Sequence, residues 1–544
     1  RVGSVIVPFV LFIFAVVVCV VYEFRGIPMM APDILTVQTA TSVMGNYTFK
    51  LTFEQYSVIL VCMAFFFTFL RLHEVKVTEK RVFHIAGFIV VALGCGLFTN
   101  QIILSDFMDE HQINIRMFRP MESYQKYGGV LTFARSVGYA VVKKPEGYTT
   151  AKVDQIIQEY EKKSANEQQS TAKQYPNIIT VVNETFADIK VLGDFKTNED
   201  YMPYFHSLKK NCVTGYTYAS IVGGQTANTE FELLTGNTLG FLSAGTTAFQ
   251  LYIHGQMPSL VSNLKAEGYS GNKAMHPFNP YNYNRPAVYK DFGFTDFIDK
   301  FDFPKNVKRV REYISDEANV DRIISEYEKN RKKIDQPFYM YNMTIQNHSP
   351  YDKDAANFKQ PIKIESSKYD AEANRYLNLI KYSDDSLKQL TSYFEKCKEP
   401  TIILFLGDHQ PRLTDEFMNK ITNGQYQTWS SEQMMKRYQV PFVIWANYDI
   451  KEQHIEKTSM NYIQSILTKT AGVKMTGYQR FLNEVRKEVP TITSQGYWGK
   501  NGKFYQINDK GSPYYGIIQK YRMIQYNMMF DKKNRRDSFF EVSK

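Results

Sequence analysis

Apolar and polar positions divide the chain into two regimes. Residues 5–21 read VIVPFVLFIFAVVVCVV, residues 56–70 read YSVILVCMAFFFTFL, and residues 82–104 read VFHIAGFIVVALGCGLFTNQIIL. A helix rises about 1.5 Å per residue, so about 20 apolar residues cross the hydrocarbon of a bilayer. The pattern predicts about three transmembrane helices within residues 1–105, the second leaning on its flanks. The alternative, buried helices of a globular core, is weakened because no comparable apolar run follows. Arg71, Lys76, Lys80 and Arg81 crowd the short loop between the second and third runs, whereas the longer loop before them holds only Arg25 and Lys50. Positive-inside bias then places the Arg71–Arg81 loop in the cytoplasm and everything after Leu104 outside. A multi-pass membrane protein with an extracytoplasmic main domain is expected.

Residues 106–175 read as a juxtamembrane helical linker. LTFARSVGYAVV (131–142) is mildly amphipathic and suits a membrane surface; a helical run VDQIIQEYEKK and a polar stretch SANEQQSTAKQ follow. From Asn177 the pattern alternates. Strand-like runs occupy 177–183, 337–344, 401–408 and 440–448, and helical patterns occupy 202–210, 257–268 and 371–396. Near-continuous apolar strands separated by helices predict an α/β domain over 176–475 with a largely parallel central sheet. Such sheets gather their sites at the carboxyl ends of the strands. Residues 476–544 are polar and Tyr-rich, and are expected to form a peripheral C-terminal extension packed on the main domain. Within it QGYWGKNGKFYQI predicts a hairpin turning at Lys500-Asn501-Gly502.

Composition narrows the classes. At 544 residues the chain exceeds one ordinary domain. Its net charge of +10 is dispersed, which suits an anionic membrane surface or anionic substrates. No zinc-finger spacing, basic zipper or RNA-binding aromatic motif occurs, so nucleic acid is not an expected partner. Of five cysteines only Cys212 and Cys397 lie outside the apolar runs, too few for a disulfide framework. The chain opens at Arg1 close to an apolar run, and a further upstream segment is expected.

Four polar clusters stand out, three of them at the ends of predicted strands and one a glycine-led turn entering a helical pattern. They are Asn183-Glu184-Thr185, the glycine-led turn Gly223-Gly224-Gln225-Thr226-Ala227-Asn228-Thr229-Glu230, the run Gln346-Asn347-His348-Ser349-Pro350, and Gly407-Asp408-His409. Singly each has a structural alternative: Glu184 and Thr226 as helix caps, Asp408-His409 as an ordinary loop dipeptide. Together, oxygen and imidazole groups converging from separate strand ends suit a hard or borderline divalent cation. The sequons at Asn183 and Asn347 fall within these clusters, each beside a candidate site residue, where glycans would obstruct a site; a bacterial envelope protein carries no such risk.

The order NIITVVNETF, GGQTANTEFELLTG, MHPFNPYNYNR, IQNHSPY and LGDHQPRL resembles the sulfatase-like domain of lipoteichoic acid synthases and related phosphoglycerol transferases, in the alkaline phosphatase superfamily. The upstream loop FRGIPMMAPDILT is similar too. The resemblance implies one Mn2+ (or Mg2+), held by Glu184, Thr226, Asp408 and His409, with Thr226 as nucleophile. It places substrate binding on His276, Arg285 and His348, with Tyr283 walling a glycerol pocket where polymerising members carry Trp. Gln225 stands where some members have Lys, and both differences bear on the acceptor. Physically, a threonine hydroxyl needs activation, a divalent ion supplies it, and Arg offers phosphate a bidentate fork. The expected reaction moves glycerol phosphate from phosphatidylglycerol to a polyglycerolphosphate chain or glycolipid. A sulfatase would need Cys or Ser in a Cys/Ser-x-Pro-x-Arg motif, absent at Thr226-Ala-Asn-Thr. Similar phosphoethanolamine transferases carry several disulfides. Another envelope phosphotransferase or hydrolase, or a non-catalytic lipid-binding envelope protein, is the remaining alternative.

Overall fold

A computed structural model describes residues 2–25, 28–31, 53–71, 81–104, 107–110, 113, 120–140, 142–164, 174–243, 246–332, 335–365 and 368–542. The chain forms two compact units, residues 1–143 with 243–246, and residues 144–242 with 247–544.

In the first unit the three apolar runs form helices α1 (Val2–Arg25), α2 (Phe53–Arg71) and α3 (Arg81–Phe98), the last continuing as a π-helical turn over Thr99–Leu104. Phe9 of α1 packs on Phe66 of α2 with ring centroids 5.7 Å apart. Helix α4 (Gly129–Ala140) turns its polar groups inward: Thr132 donates to the Ser123 carbonyl (3.0 Å) and Arg135 to that of Ile103 (3.2 Å). Phe88, Val90, Val91, Leu93 and Leu97 of α3 remain exposed. Among the described residues no helix is long and apolar enough to cross a membrane. The transmembrane reading therefore stands on the apolar sequence alone. Residues 72–80, 26–27 and 32–36 of the loop similar to the family's, and 165–173 of the polar linker lie outside the described residues.

The second unit opens with α5 (Thr150–Ser164) and is built on an eight-stranded sheet. Its strands are β1 (Asn177–Asn183), β2 (Cys212–Tyr218), β3 (Ser270–Met275), β4 (Asp296–Ile298), β5 (Phe338–Met343), β6 (Thr401–Gly407), β7 (Gln439–Ala446) and β8 (Gln453–Ser459). Their spatial order is β8-β2-β7-β6-β1-β5-β3-β4. Only β7 runs antiparallel to its neighbours, so the expected largely parallel sheet is present. Every residue of β1, β5 and β6 is buried, as strands covered on both faces require. In register, Asn183 faces Gly407 and Val182 faces Met343, which aligns the carboxyl ends of the three central strands.

Helices α6 (Thr226–Thr235), α7 (Asp316–Arg331), α8 (Ala371–Phe394), α9 (Met460–Thr470), α10 (Gly477–Glu488) and α11 (Tyr515–Met529) surround the sheet. Helix α8 starts where the Asp370 carboxylate accepts the Ala373 N–H (2.9 Å). Its Tyr376, Leu377 and Ile380 share one core with Ile179, Val181 and Phe405 of the sheet and Ile323 of α7. Each such side chain contributes about 1.5–3 kcal/mol by leaving water.

The C-terminal segment is not peripheral. Tyr521 of α11 donates to the Gly236 carbonyl (2.5 Å), and Gln525 exchanges two bonds with the Thr238 backbone (2.8 and 2.9 Å). Tyr478 of α10 also reaches Gly236 (2.9 Å), so the tail grips the end of α6. Its polarity misled because these tyrosines and amides are consumed internally. Helix α5 docks on the same tail through Arg536–Asp154 (2.6 Å) and Lys520–Glu159 (2.7 Å). The predicted hairpin pairs Gly496–Trp498 with Phe504–Tyr505, and Thr491–Thr493 adds a third strand.

Candidate metal and nucleophile site

The aligned ends of β1 and β6 carry the first groups. After Asn183 the chain bends through Thr185 (φ 54°), leaving Glu184 at the carboxyl end of β1. The Glu184 N–H donates to the Thr344 hydroxyl beyond β5 (3.0 Å), and the Thr185 hydroxyl donates to Glu184 Oε1 (2.8 Å). Asp408 follows β6, and its Oδ1 accepts the N–H groups of Thr185 (2.6 Å) and His409 (2.8 Å). Gly407 makes this approach feasible: a Cβ there would lie 1.8 Å from the Phe186 carbonyl oxygen.

The nucleophile candidate arrives on a strained turn. Gly223, Gly224 and Gln225 all have positive φ (69°, 146° and 64°), and Thr226 opens α6 immediately afterwards. A Cβ on Gly223 would meet Arg412 Cβ at 3.1 Å. This left-handed run suits glycine and costs about 1–3 kcal/mol at Gln225, strain of the kind found at functional sites. Thr226 Oγ1 lies 3.4 Å from Glu184 Oε2, and Thr229 one turn on donates to the Asp408 carbonyl (2.8 Å), tying α6 to β6.

Glu184, Asp408 and His409 are all buried, and one ligand atom of each lies within 4.8 Å of the others. His409 Nδ1 sits 2.9 Å from the Gln410 carbonyl, which assigns its proton there and leaves the Nε2 lone pair free. That Nε2 lies 3.3 Å from Asp408 Oδ2 and 3.8 Å from Glu184 Oε1. Asp408 Oδ2 and His409 Nε2 are buried without a hydrogen-bond partner. Two ligand atoms on one ion with bonds of about 2.1 Å stand about 3 Å apart, so the spacing and donor set fit a divalent cation. Burial and the Asp408 charge push the Glu184 carboxyl up to about 8, and a cation would reverse that.

The predicted substrate groups form a second set. His276, after β3, is buried with Nδ1 3.0 Å from the Met343 carbonyl; burial and the Arg285 charge hold it well below the usual histidine range. His348 stacks on Phe278 (6.2 Å), and Arg311 braces its loop through the carbonyls of Gln346 and His348 (both 2.8 Å). Tyr283 (φ 60°) places its ring 5.1 Å below the Arg285 guanidinium. Arg285 does not offer its Nε–Nη2 fork to a ligand, because both nitrogens bond Glu230 Oε1 (3.0 and 2.7 Å).

Asn183 and Asn347 are fully buried and bonded to each other (3.1 Å); Asn183 also donates to Asp316 (2.7 Å) and Asn347 to Ser383 (2.8 Å). Their role here is bracing the loops. Sequence reasoning missed Asp316, Tyr289 and Tyr341, and named Thr185 and Glu230 only as members of their clusters, without a role. The signals for the last two were position alone: Thr185 directly follows Glu184, and Glu230 lies one helical turn after Thr226 in the same motif.

The family model described as Sulfatase matches residues 176–473. Among curated proteins, the chain is 30% identical over 433 residues to a putative cyclic beta-1,2-glucan modification protein of Rhizobium meliloti, covering 78% of this chain and 65% of that protein. It is 24% identical over 374 residues to the lipoteichoic acid synthase of Staphylococcus saprophyticus, covering 66% and 55% respectively. The chain thus spans just under two thirds, or less, of these relatives. Among solved structures, the Streptococcus pyogenes phosphoglycerol transferase GacH in complex with sn-glycerol-1-phosphate superposes with a TM-score of 0.60 at 21% identity, over 74% of this chain and all (100%) of that one. That likeness establishes the shared fold.

Proposed function

We propose that this chain, which belongs to the sulfatase family, is a metal-dependent phosphoglycerol transferase of the lipoteichoic acid synthase type, anchored at the bacterial cell membrane. The observation that carries the reading is the convergence of Glu184, Asp408 and His409 beside the Thr226 hydroxyl, with Asp408 Oδ2 and His409 Nε2 left unpartnered. These residues and Thr226 would hold a divalent ion, Mn2+ or Mg2+, which when bound would neutralise charge at the phosphate and lower the threonine pKa.

The chain's own groups do the rest. Thr226 Oγ attacks phosphorus of phosphatidylglycerol; the new O–P bond forms as the bond to the diacylglycerol oxygen breaks, and that oxygen takes up the proton lost by threonine. An acceptor hydroxyl on a polyglycerolphosphate chain or glycolipid then displaces Thr226, which regains a proton. His276, with Nδ1–H bonded to the Met343 carbonyl, presents Nε2 as an acceptor and suits a glycerol hydroxyl better than a phosphate oxygen. His348 and Arg285 flank the anion, and Tyr283 walls the pocket. Membrane anchoring rests on the apolar sequences within residues 1–105; it would raise the effective concentration of lipid head groups.

The acceptor has a second reading. The likeness to a glucan modification protein over 78% of the chain favours a glucan hydroxyl in place of a teichoic chain. Incubating the purified chain and Mn2+ with head-group-labelled phosphatidylglycerol plus each acceptor, and weighing the products, separates the two. Thr226→Ala should abolish diacylglycerol release, and retained turnover would remove Thr226 from its role.

A further inference from the structure

Glu230 is buried with no exposed surface, yet it touches no residue of the candidate metal set by hydrogen bond. Its Oε1 takes Arg285 Nε (3.0 Å) and Nη2 (2.7 Å); its Oε2 takes the hydroxyls of Tyr289 (2.5 Å) and Tyr341 (3.1 Å). A buried ion pair is weak evidence of stability, because desolvation offsets the attraction, but it fixes geometry and charge. Glu230 sits four residues after Thr226, so about 6 Å along one helix separates the nucleophile from the group gripping Arg285.

We infer that Glu230 is a positioning and specificity-determining residue: it clamps Arg285 by its Nε–Nη2 edge and cancels its charge, matching the site to a phosphodiester monoanion over a phosphomonoester dianion. The inference rests on the proposed role of Arg285 in anion binding. With its Nε–Nη2 edge occupied, Arg285 keeps for a ligand only the Nη1–Nη2 end of the guanidinium. It also brings no net positive charge, because its partner lies in direct contact. A transferase whose donor and product are both diesters is served by such a site, whereas an unpaired arginine would favour inorganic phosphate and monoesters as inhibitors.

Glu230→Gln separates charge from shape. The amide oxygen keeps both bonds to Arg285, and the amide nitrogen faces two hydroxyls able to rotate and accept. The test is isothermal titration calorimetry of the full chain in Mn2+ at pH 8, with inorganic phosphate (mainly dianion) and dimethyl phosphate (monoanion) as ligands. Glu230→Gln should raise the phosphate-to-dimethyl-phosphate affinity ratio by about tenfold or more, since one uncancelled charge now acts in a poorly solvated site. Arg285→Gln, leaving Glu230 unpaired, should lower the ratio by a similar factor. The double variant should return it to the wild-type value while weakening both anions. A merely structural Glu230 would weaken both anions in parallel. An unchanged ratio in Glu230→Gln, or no restoration in the double variant, overturns the inference; if the single variant does not fold, Arg285→Gln and the double variant decide it. A wild-type chain that binds neither anion also overturns it. A wild-type chain that shows these ratios but releases no diacylglycerol from phosphatidylglycerol sinks the proposed function and leaves the Glu230 assignment standing.

Discussion

Replacing Gly407 with alanine probes the junction on which the site depends. The added Cβ would lie 1.8 Å from the Phe186 carbonyl oxygen and 2.9 Å from its carbon. An ordinary carbon–oxygen contact is about 3.2 Å, so the chain after β1 must retreat by about 1.4 Å from β6, at an overpacking cost of about 1–3 kcal/mol. Glu184 lies two residues before Phe186 and Asp408 one residue after Gly407, so the retreat separates two of the proposed metal ligands. Metal sites tolerate deviations of only about 0.2 Å. At Mn2+ of about 100 times the wild-type Kd, metal stabilises the wild-type chain by about 2.7 kcal/mol; a site weakened about 100-fold gains only about 0.4 kcal/mol. Denaturant unfolding of the second unit, followed with saturating Mn2+ and with chelator, measures both increments. The reasoning fails if Gly407→Ala folds and keeps the full metal-dependent increment.

Three further outcomes follow from the structure. Asp408→Asn keeps the side chain's shape and removes a ligand charge; bound Mn2+, measured by elemental analysis after desalting, should fall to a small fraction of wild type. Glu232 is buried, and burial pushes its carboxyl up to about 7 despite three donors from Ser220, Thr238 and Leu239. Its folded pKa is raised, so its contribution to stability is full below about 4.5 and is lost progressively as pH rises to about 7, a change of about 3 kcal/mol. Glu232→Gln should flatten that part of the stability–pH curve, and an unaltered slope between pH 5 and 7 would refute the assignment. Tyr521→Phe deletes the bond to the Gly236 carbonyl and leaves that buried acceptor with Tyr478 alone; a loss of about 1 kcal/mol in chemical denaturation is expected.

The central strands were legible because strands covered on both faces are written as unbroken apolar runs. β1 occupies residues 177–183 as predicted, and β5 and β6 match within a residue. The outer strands were not. Edge strand β8 reads QHIEKTS with exposed polar residues, and β3, paired on one side with the short edge strand β4, reads SGNKAM with Ser270 and Asn272 buried; the pairing of both is fixed by neighbours and not by their own pattern. In β2, CVTGYTY contains Gly215, whose Cβ would fall 2.0 Å from the Ile455 carbonyl oxygen; the glycine that weakens the strand signal permits its pairing with β8.

The sequence alone determined which chemistry the chain can hold: two carboxylates, an imidazole and a hydroxyl, each at the end of an apolar strand or a glycine turn. That information is local, because a strand's burial and a turn's glycines are properties of a few consecutive residues. Only the tertiary structure decided what those groups face. Glu230 and Arg285 are separated by 55 positions, and nothing in either segment announces that one closes the other's fork. Tyr521 and Gln525 of the tail likewise look solvent-bound until the carbonyls of Gly236 and Thr238 are brought to them. Partners of buried polar groups are chosen by packing across the whole fold, and that choice is invisible one segment at a time.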